Sequence, residues 1–342
     1  MAAPGTDIAF NARRTAGYRN LANKISNASR FMFMNLDRVA PALRPDSGGS
    51  APEAGIAGFE AAALEDRWIL SRFSRVAGEV NDALEAYRFD DAARAIYDFF
   101  WGELCDWYIE LIKPRLTIED SADRVAAQRA CRNLANLFEA SIRLLHPVMP
   151  FITEEIWHAL YDGKPPLKSV ALASYPAAQE KQLDSAAETE MGVLRELIVS
   201  VRNLRAELAV EQKLRVPIQI FAEEPAIRSL IEQNRGAVER LAGVEKVTFA
   251  KDSLAKLSSV RHTARFDVHV VYDKKIDVTV ERGRLKKELE RIEKEIANVQ
   301  RQLGNDQFLA KAPAQVVEGL RKREPELAAL REKTQSKLHE LR

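Results

Sequence analysis

The sequence predicts a mainly α-helical chain in three parts: a helical bundle, a small α+β module and a C-terminal antiparallel coiled-coil hairpin. Three observations carry that prediction. Apolar residues recur at intervals of three and four through most of the first 165 positions, the period of a helix with one buried face. After residue 215, short runs such as "VPIQIFA" and "VEKVTFA" alternate and are β-branched, which is the period of a strand. From residue 285 the seam Leu285, Leu289, Ile292, Ile296, Val299 and Leu303 steps four and three, the repeat of a coiled coil.

Residues 8–36 read as the first helix, with Tyr18, Leu21, Ile25, Ala28 and Met32 as its apolar stripe. "RPDSGGSAPEAGIAG" follows as a mobile loop, because Gly, Pro and Ser disfavour regular structure. "LEDRWILSRFSRVAGEVNDALEAY" is the second helix. "FDDAARAIYDFFWGELCDWYIELIKPRL" is the third, opened by Asp90 or Asp91 and stopped near Pro114. "SADRVAAQRACRNLANLFEASIRLLH" is the fourth, with Ser121 as N-cap and Pro147 as terminator. Thr153 opens a short fifth helix with Glu154 and Glu155 in its first turn. Trp68, Trp101, Trp107 and Trp157 are the expected core or near-core aromatics of this bundle.

Beyond "DGKPPLKS" the pattern changes. "ETEMGVLRELIVSVRNLRAELAV" and "AIRSLIEQNRGAVERLA" are helical, and "VPIQIFA", "VEKVTFA" and "RFDVHVVYD" are strands. The domains therefore run 1–165, 166–275 and 276–342. In the last, "GNDQFLAKAP" collects turn residues between the outgoing seam and a return seam of Val316, Leu320, Leu327, Leu330, Thr334, Leu338 and Leu341. Pro325 should kink the return helix or break it.

Composition excludes several classes. No run of about 18 apolar residues exists to span a membrane, and "MAAPGTDIAF" lacks the pattern of a signal peptide. The two cysteines, Cys105 and Cys131, form no C-x-x-C, which fits a reducing cytoplasm and not a cysteine–zinc site. The net charge of +1 hides an uneven distribution. Residues 8–36 hold five basic groups and no acidic one, and residues 282–342 hold 15 basic against 10 acidic. Two segments, one near each end, are thus suited to a polyanion.

No catalytic constellation survives inspection. There is neither a phosphate-binding G-x-x-x-x-G-K-[ST] loop nor G-x-G-x-x-G. The five histidines (His146, His158, His262, His269 and His339) stand apart from one another, and His146 and Cys105 read as packing residues. No catalytic residue, metal ligand or cofactor site is expected in these 342 residues.

Candidates for nucleic-acid contact are clearer. Asn20, Asn23, Lys24, Asn27 and Arg30 share one face of the first helix, opposite the apolar stripe. Asparagine amides donate to and accept from base edges, while Lys and Arg neutralise phosphates. A solvated helix surface has the same composition, and the residues alone do not separate the two readings. At the hairpin, Arg301 contributes charge, and Phe308 with Lys311 at the tip suits stacking on a base beside a phosphate. A Phe308 folded back over the end of the seam is the competing reading.

Together these stretches resemble the C-terminal half of the valyl-tRNA synthetase family. The resemblance rests on "APGTDIAF", "GYRNLANKISNASRFMFMN", "DRWILSR", "ELCDWYIELIKP", "LLHPVMPFITEEIW", "VRNLRAEL", "IDVTVERGRLKKEL" and "NDQFLAKAPAQVV", in family order across nearly the whole chain. "HPVMPFITEEIW" marks only the valine, isoleucine and leucine group, whereas "CDWYIEL" and the hairpin tip are specific to the valine enzymes. The resemblance implies an anticodon-binding bundle, a connecting module and a tRNA-binding arm that reaches the tRNA elbow. It makes tRNA(Val) the expected partner of a monomeric, cytoplasmic chain. Ser26 departs from it, standing where the family usually has Trp.

The family's adenylate-forming motifs, His-x-Gly-His and Lys-Met-Ser-Lys-Ser, have no counterpart here, and "KLSSV" (256–260) is a coincidence. ATP and Mg²⁺ are expected only for a catalytic domain supplied in cis or in trans, so the chain alone is expected to be inactive. Met1 then reads as an internal methionine taken as a start. Two alternatives stand beside this: a stand-alone RNA-binding factor or split-enzyme subunit, and a coiled-coil module that docks on protein.

Overall fold

In a computed structural model, residues 12–39, 52–118, 121–254, 257, 260–272 and 278–304 are described, with scattered positions between 320 and 338. The chain divides into two compact units, residues 1–271 and residues 272–342.

The first unit opens with α1 (Ala12–Val39) and α2 (Leu64–Glu85). The expected apolar stripe of α1 is buried at Leu21, Ile25, Ala28, Met32 and Leu36; the side chain of Tyr18 lies outside the described residues. The loop before α2 is not loose throughout, as the sequence suggested. Residues 40–51 lie outside the described residues, but 53–60 are pinned to α5 (Ser121–Leu145). Asn133 Nδ2 donates to the Glu60 carbonyl and Asn136 Nδ2 to that of Ala57. Arg143 donates to the carbonyls of Glu53, Gly55 and Ser174 while paired with Glu139 at 2.9 Å. Both members of that pair are buried, so the carbonyls and the carboxylate together replace the water the guanidinium lost.

The third predicted helix exists but changes character along its length. α3 (Phe89–Tyr97) passes into a π-helical segment (Asp98–Tyr108), then α4 (Ile109–Ile112) and a 3₁₀ turn (Lys113–Leu116). Asp90 and Asp91 lie in the first turn of α3 and do not cap it; Arg88 holds the cap position. The π segment follows from the side chains. Buried pairs Phe99–Phe100, Leu104–Cys105 and Tyr108–Ile109 recur every four to five residues. That exceeds the 3.6 of an α-helix, and the wider turn keeps all of them toward the core. Phe99 packs edge-on against Phe73 and Phe100 against Phe138, with centroids 5.7 and 5.5 Å apart. Beneath them the buried Asp66 accepts from Tyr108 Oη at 2.8 Å and from Arg115 at 2.8 Å.

Ser121 is the first residue of α5, and its side chain lies outside the described residues. α6 (Pro150–Leu160) starts three residues before Thr153. Proline at the first helical position has no amide to satisfy and a preset φ, so it nucleates the helix. Thr153 is buried inside, its hydroxyl bonded to the Met149 carbonyl and to His146 Nδ1, each at 2.8 Å. Trp68, Trp107 and Trp157 are buried, and Trp101 is half-buried and stacked on Tyr97.

α7 (Ser185–Glu207) joins bundle to module. One side packs on α2 and the other on a four-stranded sheet and α9 (Arg235–Ala242). Arg195 of α7 lies over both Trp68 and Trp107, and Arg202 lies over Trp107. The sheet holds β1 (Val216–Phe221), β2 (Val244–Phe249), β3 (Val260–His262) and β4 (Asp267–Val270) in the order β2-β1-β4-β3, with only β1 and β2 parallel. The helix predicted over 226–242 is two helices, α8 (Pro225–Gln233) and α9, separated at Asn234. Gly243 ends α9 with φ +66°, the left-handed position glycine fills without strain. The three-residue β3 escaped the sequence reading.

The second unit contains α10 (Val278–Leu303), 26 residues long and so about 39 Å. Ile292, Ile296 and Val299 of its seam are buried together with Leu327, and Leu303 and Leu320 pack against them. Gln300 donates to Glu324 at 3.0 Å, and Arg323 meets Glu295 at 3.4 Å. Described positions between 320 and 327 therefore pack on α10. Residues 323–325 and 327–328 are helical, so a helix persists on both sides of the described Pro325.

Candidate nucleic-acid interface

The exposed side of α1 is built by the spacing of its polar residues. Asn20, Asn23, Asn27 and Arg30 are separated by three, four and three, so they stack along one face, and all four are exposed. Ser26 is exposed beside them, so the core lacks nothing for want of a tryptophan there.

Lys24 is placed differently. It is half-buried, its Nζ lies 2.6 Å from Asp106 Oδ1 of the π segment, and it sits 5.3 Å from the centre of the Trp101 ring. Burial works against its charge, but the bond to Asp106 and that carboxylate's field outweigh it and raise the pKa above the ordinary value. Lys24 therefore stays charged, yet much of its field is answered within the protein.

Between α1 and the π segment lies a cleft of 240 Å³ lined by Lys24, Asn27, Phe31, Cys105, Glu110 and Lys113, among others. Phe31 is half-buried, with Lys113 Nζ 5.7 Å from its ring centre. Lys113 also pairs with Glu110 at 2.5 Å. Neither Phe31 nor Lys113 was singled out from the sequence. Phe31 follows Asn27 by one helical turn, a signal that was available, but "RFMFMN" reads as undifferentiated apolar helix. Lys113 is 82 positions beyond Phe31 and comes near it only through the fold. Burial pushes the Cys105 thiol up to about 12, so it is a neutral packing group, as its aromatic surroundings suggested. The cleft can offer amides to a base edge, an aromatic ring to a base face and cations to phosphate. It contains no nucleophile beside a base.

In the second unit Arg301 is exposed near the end of α10 and donates to Asn298 Oδ1 at 3.0 Å. Phe308 and Lys311 lie outside the described residues, as do 256, 258 and 259 of "KLSSV".

Comparison with known proteins finds two family matches and a set of similar chains. Residues 66–220 match the family described as the anticodon-binding domain of tRNA ligase, and residues 277–342 match the valyl tRNA synthetase tRNA binding arm. The chain is 37% identical over 353 aligned residues to the valine–tRNA ligase of Dechloromonas aromatica, covering 100% of the chain and 35% of that protein. It is 38% identical to that of Acinetobacter baylyi over 93% of the chain and 32% of the relative. It is 35% identical to that of Symbiobacterium thermophilum over 97% of the chain and 37% of the relative. The chain belongs to the valine–tRNA ligase family. It corresponds to the C-terminal part of these ligases and spans about a third of their length. In valine–tRNA ligase terms, α2 to β1 fall within the anticodon-binding match and α10 within the arm. α1, with its asparagine face, precedes the anticodon-binding match and falls within the similarity to the whole ligases. Among the described residues, no helix is long and apolar enough to cross a membrane.

Proposed function

We propose that this chain is the tRNA-recognising portion of a valine–tRNA ligase, acting on tRNA(Val), with residues 1–165 as anticodon bundle, 166–275 as connecting module and 276–342 as arm. The observation that carries the reading is a similarity running the full length of the chain into a ligase region named for anticodon and tRNA binding. The asparagine face of α1 and its neighbouring cleft give that similarity a chemical meaning. Unstacked anticodon bases present edges to Asn23 and Asn27 and a face to Phe31, while Arg30 and Lys113 meet phosphate. Arg301, with Phe308 and Lys311, serves the tRNA elbow from the arm. The chain works as a cytoplasmic monomer, and ATP and Mg²⁺ act in the portion of the ligase that it does not match.

The test is to purify the 342-residue chain and measure two things: retention of tRNA(Val) on a filter and valine-dependent pyrophosphate exchange. Retention without exchange supports the reading. Exchange by the pure chain, or no retention at low salt, contradicts it. The alternative arrangement, a subunit of a split ligase, requires that a separately made catalytic portion restore charging on mixing.

A further inference from the structure

Residues 221–276, which hold α8, α9 and three of the four strands, fall between the two family matches. One side chain of this stretch reaches into the bundle beside the cleft. Arg240 of α9 donates from Nη2 to the main-chain carbonyl of Glu110, 130 positions earlier. That carbonyl needs an outside donor for a reason written in the sequence. In an α-helix it would accept from the amide four residues on, and position 114 is proline, which has no amide proton. The chain there passes from α4 into the 3₁₀ turn Lys113–Leu116. Arg240 fills the place of the missing amide, since a main-chain carbonyl shielded from water and left unpaired is costly.

The contact is withdrawn from water and braced. Arg240 Nε is buried and makes no hydrogen bond among the described residues. Burial pushes the pKa of the guanidinium down, against the pull of the Glu110 charge. Next to it, the Leu241 carbonyl accepts from Arg202 Nε of α7 at 2.8 Å, and the Arg202 guanidinium lies 5.5 Å from the centre of the Trp107 ring. Arg195 of α7 lies 5.1 Å from the same buried ring. Two helices thus grip the segment at Trp107 and at Glu110. The turn they grip is a wall of the cleft. Glu110 and Lys113 line it together with Lys24, Asn27 and Phe31. Groups that must meet a base and a phosphate at a set separation need support from the residues behind them.

We propose that Arg240 is a positioning residue for tRNA recognition: by holding the Glu110 carbonyl it fixes Glu110 and Lys113 against Asn27 and Phe31, and so sets how sharply the cleft distinguishes one anticodon from another. The inference rests on the reading of the cleft as an anticodon contact. It adds to that reading a task for the module, outside the anticodon-binding match.

The test titrates tRNA(Val), and a tRNA altered only in its anticodon, with the 342-residue chain and its variants, melting temperatures being measured alongside. Arg240→Met keeps the apolar stem and loses the donors. It should lower the preference for tRNA(Val) by about fivefold, with binding of the altered tRNA unchanged. Arg240→Lys, which keeps a donor, should recover most of the preference. Pro114→Ala added to Arg240→Met should recover it as well, because an amide at 114 can take the bond that Arg240 gave up. An unchanged preference in Arg240→Met, an equal loss for both tRNAs, or recovery in neither rescue variant overturns the proposal. If Arg240→Met does not fold, recovery of folding and preference by the added Pro114→Ala supports it, and failure of that double variant overturns it. A parent chain with no preference sinks the underlying reading as well. A parent preference that Arg240→Met shares sinks the Arg240 role alone.

Discussion

At the scale of single residues, the α1 face separates groups that serve the fold from groups free to serve a ligand. Arg30 is exposed in the basic segment 8–36. Arg30→Ala should leave the melting temperature unchanged, weaken tRNA binding across sequences, and lower the slope of log K against log salt by about 1; a salt-titrated binding isotherm checks this. Lys24 should matter less than its sequence position suggests, because Asp106 already holds it. Ser26 offers the opposite experiment. It is exposed among the asparagines, and base–aromatic stacking contributes about 1–3 kcal/mol per base. Ser26→Trp should therefore tighten tRNA(Val) binding several-fold or more without altering stability, measurable by fluorescence anisotropy. The asparagine face and its buried counterpart were legible in the sequence, since three-and-four spacing dictates both. The cleft behind them was not, because Phe31 and Lys113 meet only when α1 lies along the π segment.

At the scale of elements, the contact between α2 and α7 depends on ionised carboxylates. Asp184 caps α7 by accepting from the Ala187 amide at 2.9 Å and pairs with Arg67 at 2.8 Å. The Arg67 bond, then the Ala187 amide, hold its pKa below the ordinary 3.8. Glu188 accepts from Ser71 and from Arg75. Burial opposes its charge, but those bonds and the Arg72 and Arg75 charges outweigh it and put the pKa below 4.5. Both carboxyls bind protons more weakly folded than unfolded. Their stabilisation is complete above the ordinary values and is lost as pH falls through the folded ones. Glu139 works in the reverse sense, since burial raises its pKa despite Arg143. Glu188→Gln should thus flatten the fall in melting temperature below about pH 4.5 relative to the parent chain, as scanning calorimetry across pH would show.

The same scale shows where periodicity is informative and where it is not. Helices with a 3.6 period and strands with alternation were readable. The π segment was not, because an excess of aromatics changes the turn without changing the helical pattern. The split at Asn234 and the three-residue β3 carry too little pattern to register. Thr153 resembled a cap by type, but Pro150 set the start of α6 by its fixed φ. In the arm, the seam needed no tertiary information. Ile292 is 1% exposed in a core of few residues. Ile292→Ala should cost about 2–4 kcal/mol and raise hydrogen exchange over 286–304 while leaving α2 protected.

At the scale of the whole chain, the segments 8–36 and 282–342 each carry an excess of basic residues, and under our reading both meet tRNA. Counterion release then makes the association steeply salt-dependent, because each neutralised phosphate adds to the slope. The most direct measurement is an anisotropy titration of labelled tRNA(Val) with the purified chain at about 50 and 200 mM salt, repeated with a tRNA altered only in its anticodon. The account predicts tight binding at low salt, a loss of at least tenfold at the higher salt, and weaker binding of the altered tRNA at both. No binding at 50 mM salt, or equal binding of the two tRNAs, would contradict it.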